Sequence, residues 1–228
     1  MIPLRDDNPI RGTPLVNYAL IGLCVLVFLW QLTLGQYGGQ RAVLALGVIP
    51  AVLLGDGELP PEIGAVPPVL SILTSMFLHG GWMHLIGNML YLWIFGDNIE
   101  EAMGRIKYLI FYFICGSVAA LSQALPDPSS AIPMIGASGA ISGVLGAYLM
   151  LFPHARVLTL IPLGFATQLV RIPAVWVLVL WFVLQLVSNA LGGEGGVAFS
   201  AHIGGFIAGV VLVGAFKHRS VPFGFARR

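Results

Sequence analysis

Four polar side chains interrupt long apolar stretches of this sequence: His84, Asn88, Ser138 and His202. Strongly polar groups are costly in such surroundings, so each is a candidate functional residue. A serine hydroxyl is a weak nucleophile until a base takes its proton, and neutral histidine is suited to that task. Ser138 and His202 therefore indicate nucleophilic catalysis, with Ser138 as the nucleophile and His202 as the general base.

The other two polar residues have the spacing of a helix face. His84 and Asn88 are four residues apart, so on a helix they point in the same direction. An imidazole N–H and an amide NH₂ are neutral donors that can stabilise a developing oxyanion, and the backbone N–H of Ser138 could add a third. The alternative interpretation is that His84 and Asn88 only hydrogen-bond neighbouring helices.

The composition requires a membrane around most of the chain. Of the 228 residues 57% are hydrophobic and 9% charged, whereas a soluble domain carries about 25% charged residues. We predict an all-α membrane protein with one domain, residues 1–228, built as a bundle of six transmembrane helices. The predicted helices are 14–35, 81–99, 105–125, 138–152, 171–190 and 198–216.

Two further apolar segments do not fit a spanning helix. Residues 69–79 end at Gly80 and Gly81, which indicates a re-entrant or interfacial piece. Residues 157–170 contain Pro162 and Gly164 and are too short and broken to span.

The basic residues predict the orientation. With six spans, all but Arg41 of the 11 basic residues lie on the same side as both termini. The positive-inside rule then places both termini in the cytoplasm, and we expect a multi-pass protein of a plasma or inner membrane.

The same topology places the two candidate catalytic residues at one depth. Ser138 and His202 each lie roughly 21 Å above the inner end of their helix, at ~1.5 Å per residue. Both sit among glycines, which allow helices to approach closely. Helix packing alone is the alternative explanation of these glycines.

The sequence lacks the residues that other classes of membrane protease require. Zinc proteases of the membrane need H-E-x-x-H, which is absent, and aspartyl proteases need two membrane aspartates, whereas only Asp97 lies near a span. No cofactor or metal is expected, and a net charge of +1 favours no nucleic-acid partner. Because no carboxylate lies in the outer half of a predicted span, a serine–histidine dyad is favoured over a triad.

Three segments carry a family resemblance: HGGWMHLIGN at 79–88, GASGAISG at 136–143 and AHIGGFIAG at 201–209. In this order and on alternate predicted helices, they resemble the rhomboid family of intramembrane serine proteases, over roughly residues 1–217. The resemblance implies a protease that cuts transmembrane proteins, with Ser138 as nucleophile, His202 as base, and His84 and Asn88 as oxyanion donors. A non-catalytic relative that binds membrane proteins is the alternative, but it should lack the serine or the histidine.

The sequence departs from the family pattern at two places. Residues 36–68 contain no tryptophan, whereas family members often have a Trp-Arg pair in this outer loop. Many members also have an aromatic residue four positions after the nucleophile, where this chain has Ser142. The orientation of His202 must therefore depend on another group.

A glycine-rich segment separates the last two predicted helices. It contains Gly192, Gly193, Gly195 and Gly196, which predict a mobile loop. We expect this loop and the outer end of the fifth helix to move when a substrate enters.

Overall fold

The computed structural model describes residues 1–163, 166–192 and 198–225. This part of the chain is mostly helical. Its α-helices are α1 (Leu15–Thr33), α2 (Gly35–Leu46), α3 (Pro50–Leu53), α4 (Pro68–Thr74), α5 (Trp82–Met103), α6 (Arg105–Ala124), α7 (Ser138–Leu151), α8 (Ala174–Ala190) and α9 (Phe199–Phe216). Its strands are β1 (Ile2–Asp6), β2 (Arg156–Leu163) and β3 (Ala166–Pro173), and short 3₁₀ helices cover Pro61–Ile63 and Ser75–Phe77.

The six predicted spanning segments correspond to α1 and to α5 through α9. By length and composition, α1, α6 and α9 are each able to cross a membrane. Within the described residues a fourth span results if Pro61–Phe77 and α5 count together as one bent unit. Helices α7 and α8 are apolar but shorter. The expectation of a helical membrane protein is confirmed, and the number of six spans stays a prediction.

A small antiparallel sheet corrects the all-α expectation. Its strand order is β1-β2-β3, and it includes nearly all of the segment 157–170 that could not be assigned from the sequence. Side chains alternate along β2, with Val157 and Thr159 fully buried and Leu158 half-buried between them. The predicted fifth helix also began too early, because Arg171–Pro173 belong to β3. Pro173 favours an extended residue before it and then starts the helix.

Helix α7 lies at the centre of the bundle. Residues 140–148 are all buried, and glycines on this helix let α9 pack directly against its backbone. The central helix therefore holds its first residue, Ser138, against a rigid support.

The segment before α5 forms a separate short unit. The segment Pro61–Phe77, which contains α4 and the 3₁₀ turn Ser75–Phe77, precedes α5 and is bent by 82° from it. This geometry agrees with the expected re-entrant or interfacial piece. His79, at the end of this unit, is 2% exposed and its Nδ1 lies 3.2 Å from the carbonyl oxygen of Phe77.

Candidate active site

The structure brings Ser138 and His202 into hydrogen-bond contact. Ser138 is the first residue of α7, and His202 lies in the first turn of α9. The Ser138 Oγ is 2.8 Å from the His202 Nε2. This is the distance that a base needs to take a hydroxyl proton directly.

Glycines make this contact possible. A Cβ atom on Gly205 would overlap the carbonyl group of Gly139, and one on Gly209 would overlap that of Gly143. Larger residues at these positions of α9 would push it away from α7. The glycine pattern therefore sets the spacing between the two helices that carry Ser138 and His202.

Gln185 of α8 is a site residue that the sequence analysis missed. Its Oε1 lies 2.7 Å from the Nδ1 of His202. An amide oxygen can only accept, so the Nδ1 must carry the proton, and the Nε2 keeps a lone pair for the Ser138 hydroxyl. Gln185 thus holds His202 in the tautomer that a general base requires.

Trp181, one turn earlier on α8, supplies the aromatic support that the sequence lacks at Ser142. Its ring centroid lies 5.9 Å from that of His202, with an interplanar angle of 36°. Ser142 is fully buried and donates a 2.7 Å hydrogen bond to the carbonyl oxygen of Ser138. The orientation of His202 therefore depends on α8 rather than on the helix of the nucleophile.

His84 and Asn88 converge on the space beside Gly136, two residues before Ser138. A Cβ atom on Gly136 would lie 2.7 Å from the His84 Nε2 and 3.7 Å from the Asn88 Nδ2. Gly136 also has a φ of 122°, a conformation that side chains rarely adopt. Glycine at this position therefore leaves room for both donors next to the start of α7.

Each donor is oriented toward this space. The backbone N–H of Gly80 donates to the Nδ1 of His84 at 3.3 Å, so in the neutral ring the Nε2 carries the proton. The Asn88 Nδ2 is buried and, within the described residues, has no hydrogen-bond partner. An unpaired buried donor costs about 1–3 kcal/mol, which a substrate oxygen in this space would recover.

The start of α7 adds a further donor to this space. The N–H groups of a first helical turn have no acceptor within the helix, and Ser138 is the first residue of that turn. The partial positive charge of a helix N-terminus favours negative charge beside it. All four residues singled out in the sequence therefore lie close together at the start of α7, in the region that we call the cleft, with Gln185 and Trp181 next to His202.

The predicted glycine-rich loop is described only in part. Gly192 has a φ of 79° and lies two residues after the end of α8, whereas Gly193, Gly195 and Gly196 lie outside the described residues.

Comparison with known proteins shows one consistent family. The Rhomboid domain model matches residues 68–219, which include all the residues of the cleft. Rhomboid protein 1, mitochondrial, of Saccharomyces cerevisiae is 32% identical over 203 residues, 85% of this chain and 51% of that protein. Rhomboid protease GluP of Bacillus subtilis is 30% identical over 213 residues, 92% of this chain and 38% of that protein.

A shorter relative is matched over most of both chains. Rhomboid protease GlpG of Haemophilus influenzae is 27% identical over 196 residues, 86% of this chain and 88% of that protein. By contrast, the chain spans about half the length of the yeast relative and less than half that of GluP.

Proposed function

The chain belongs to the rhomboid family, and from this premise we propose that it is a serine endopeptidase that cleaves single-span membrane proteins within the bilayer. The observation that carries the proposal is the 2.8 Å contact between the Ser138 Oγ and the His202 Nε2. The relatives named as rhomboid proteases support the same activity.

The proposed reaction begins with attack on a peptide carbonyl. The Ser138 Oγ bonds to the carbonyl carbon while its proton passes to the His202 Nε2. The oxygen becomes an oxyanion beside Gly136, where His84, Asn88 and the Ser138 N–H donate to it. Gln185 accepts from the Nδ1 throughout and stabilises the imidazolium that forms.

The reaction is completed by three proton transfers through the same imidazole. His202 returns its proton to the leaving amine, which leaves an ester between Ser138 and the substrate. A water molecule then loses a proton to His202 and attacks the ester, and Ser138 regains its hydroxyl proton. No cofactor or metal is required at any step.

We also propose that six helices span the membrane, with both termini in the cytoplasm. Helix α5, with 22 residues, reaches roughly 33 Å, and α8, with 17, reaches roughly 25 Å at ~1.5 Å per residue. Helix α7, with 14 residues, reaches only about 21 Å, so the cleft at its start lies below the outer surface. The basic residues favour this orientation in a plasma or inner membrane.

The site also limits the proposed substrates. A carbonyl in a transmembrane helix is already hydrogen-bonded, so it must leave the helix before Ser138 can attack it. Freed backbone groups in hydrocarbon cost several kcal/mol each, and glycine or proline reduces the cost of local unwinding. Substrates should therefore carry helix-breaking residues near their outer ends and small residues before the cleaved bond.

The experiment that tests this function uses purified full-length protein and a serine-directed fluorophosphonate probe. Wild type should be labelled and should cleave a transmembrane substrate, and Ser138→Ala should do neither. His202→Ala should also stop cleavage, and the double variant should be no slower, because the two residues act as one unit. Ser142→Ala, which removes a neighbouring buried hydroxyl, is the matched control for labelling.

Two results would contradict the proposal. Labelling of Ser138→Ala at the wild-type level would place the nucleophile elsewhere. A folded wild-type protein that binds transmembrane segments without probe labelling or cleavage would instead be a non-catalytic binding protein.

A further inference from the structure

The three-stranded sheet has one face that the bundle does not cover. Pro3, Thr159 and Val170 form one row across the three strands, and Pro3 and Thr159 are buried. Because side chains alternate along a strand, the neighbouring rows point the opposite way. Their residues form the open face of the sheet.

Three arginines lie together on this open face. Arg5, Leu158 and Arg171 are directly opposite one another on β1, β2 and β3, so they form one row. A register shift between Pro3 and Arg5 interrupts the alternation along β1 and brings Arg5 opposite Leu158. Arg156 is two residues before Leu158 on β2 and therefore points to the same face. All three arginines line one cavity of about 210 Å³.

The arginines outnumber the carboxylates that share this cavity by three to two. Asp6 accepts a hydrogen bond from the Tyr148 hydroxyl, and Asp7 accepts one from the backbone N–H of Arg156. Burial raises the pKa of the Asp6 carboxyl to about 6, so that this group loses its negative charge as the pH falls below that value. Among the described residues, the one ion pair joins Arg105 to Glu100 and involves none of the three.

An apolar row lies next to the basic row. Ile2, Leu160 and Leu169 are opposite one another on the open face, with Ile2 48% and Leu169 62% exposed. In the sequence, no charged residue occurs between Arg156 and Arg171. A surface with basic and apolar rows side by side matches the boundary between lipid headgroups and acyl chains.

The sheet also lies at the depth where it can contact lipid headgroups of the inner leaflet. Strand β2 begins shortly after α7 ends, and β3 leads directly into α8. The sheet therefore lies at the end of these helices remote from Ser138, which the proposed topology places at the inner leaflet. Anionic lipids of that leaflet attract basic residues near the surface.

We propose that the open face of the sheet binds an anionic phospholipid of the inner leaflet, with its phosphate between Arg5, Arg156 and Arg171 and its acyl chains beside Ile2, Leu160 and Leu169. The site lies at the opposite end of the bundle from the cleft. It does not depend on the proteolytic activity, and only the assignment to the inner leaflet rests on the proposed topology.

The test measures lipid retained by the full-length protein in detergent, by native mass spectrometry during titration with phosphatidylglycerol. The variant Arg5→Gln with Arg171→Gln should bind about 30-fold more weakly than wild type, because each basic residue near a lipid surface contributes to binding. Lys107→Gln with Arg219→Gln is the matched control. It removes two exposed positive charges on the same proposed side that do not line the cavity, and it should bind as wild type does.

Two further ligands test whether binding requires both the negative charge and the acyl chains. Phosphatidylcholine and soluble glycerol 3-phosphate should each bind much more weakly than phosphatidylglycerol, since one lacks net charge and the other lacks acyl chains. Fluorophosphonate labelling of the Gln variants shows that they are folded, and Ser138→Ala should bind the lipid normally. If the double variant is not folded, Arg5→Gln and Arg171→Gln are measured singly, and each should bind about fivefold more weakly.

Three results would overturn the proposal. The first is equal phosphatidylglycerol binding by the folded Arg variants and wild type. The second is an equal loss of binding in the Lys107 and Arg219 control, which would indicate general charge attraction. The third is equal binding of glycerol 3-phosphate, which would indicate a phosphate site without a lipid.

Discussion

At the scale of single residues, the two histidines of the cleft have opposite tautomers. The Nδ1 of His84 accepts from the Gly80 N–H, so its Nε2 is a donor. The Nδ1 of His202 donates to Gln185, so its Nε2 is an acceptor. Two identical side chains are thereby suited to opposite tasks, one to stabilise an oxyanion and one to accept a proton.

The unpaired Asn88 amide leads to a prediction about turnover. Asn88→Ala should lower kcat by roughly 10²–10³-fold, because one donor to the oxyanion is lost. Asn98→Ala is the matched control on the same helix. Asn98 is also buried, but it donates to the backbone of Asn8 instead of facing the cleft.

Measurement of kcat and of the thermal unfolding midpoint in detergent distinguishes an asparagine that stabilises the oxyanion from one that only joins helices. Asn98→Ala should lower the midpoint and keep kcat within a few-fold of wild type. If Asn88→Ala behaves in the same way, Asn88 only joins helices and the oxyanion role is rejected.

The hydrogen bond from His202 to Gln185 leads to a second prediction. Gln185→Leu should lower kcat by about tenfold, since a hydrogen bond of this kind contributes about 1–1.5 kcal/mol. Gln185→Glu keeps an acceptor oxygen and should restore most of the rate. Rescue by glutamate would not occur if Gln185 only filled space.

Gln123→Leu is a suitable control for this experiment. Gln123 of α6 accepts from the backbone N–H of Ala201, next to His202 on α9, and does not contact the imidazole. A loss of kcat in Gln123→Leu as large as that in Gln185→Leu would show that the effect comes from displacement of α9.

At the scale of elements, α8 both supports His202 and borders the segment that is expected to move. It supplies Gln185 and Trp181 to His202, yet it leads into the glycine-rich segment that is expected to open for substrates. A displacement of its outer end would therefore also disturb the support of His202. If α8 moves to admit a substrate, as we expect, it must return before Ser138 and His202 regain the geometry seen here.

Restraint of α8 should block entry of transmembrane substrates. Cysteines introduced at Met83 of α5 and Val187 of α8, both exposed, are to be cross-linked with bifunctional maleimides of increasing length until joining is complete. The native Cys24 and Cys115 are buried and should not react. Cleavage of a transmembrane substrate should fall at least tenfold, whereas the small fluorophosphonate probe should still label Ser138.

Each single-cysteine variant treated with the same reagent is the control for chemical modification. Complete cross-linking with undiminished cleavage would show that substrates enter by another route.

At the scale of the whole molecule, the cleft and the sheet lie at opposite ends of the bundle. Ser138 begins α7, and β2 begins just after α7 ends. In the proposed orientation, chemistry takes place near the outer surface, and the sheet lies at the inner one. This placement limits where a substrate helix can be cut.

The position of the cut can be measured with two reporters of equal expression. One has a leucine-rich outer third, and the other carries a Gly-Pro insertion there, which lowers the cost of unwinding. The Gly-Pro reporter should be cleaved at least tenfold faster, at a bond in its outer third. Equal rates, or a cut in the cytoplasmic third identified by mass spectrometry, would contradict the proposed geometry.

The sequence by itself determined the membrane class, the six long apolar segments that form α1 and α5 through α9, and the four polar residues of the cleft as candidates. These features follow from local properties, namely the length of apolar runs and the high cost of polar groups within them. The tertiary structure decided which groups support His202, because Gln185 and Trp181 reach it only through the packing of α8 against α9. It also decided that residues 156–173 form a sheet, since strand pairing depends on distant partners such as β1, which no local pattern specifies.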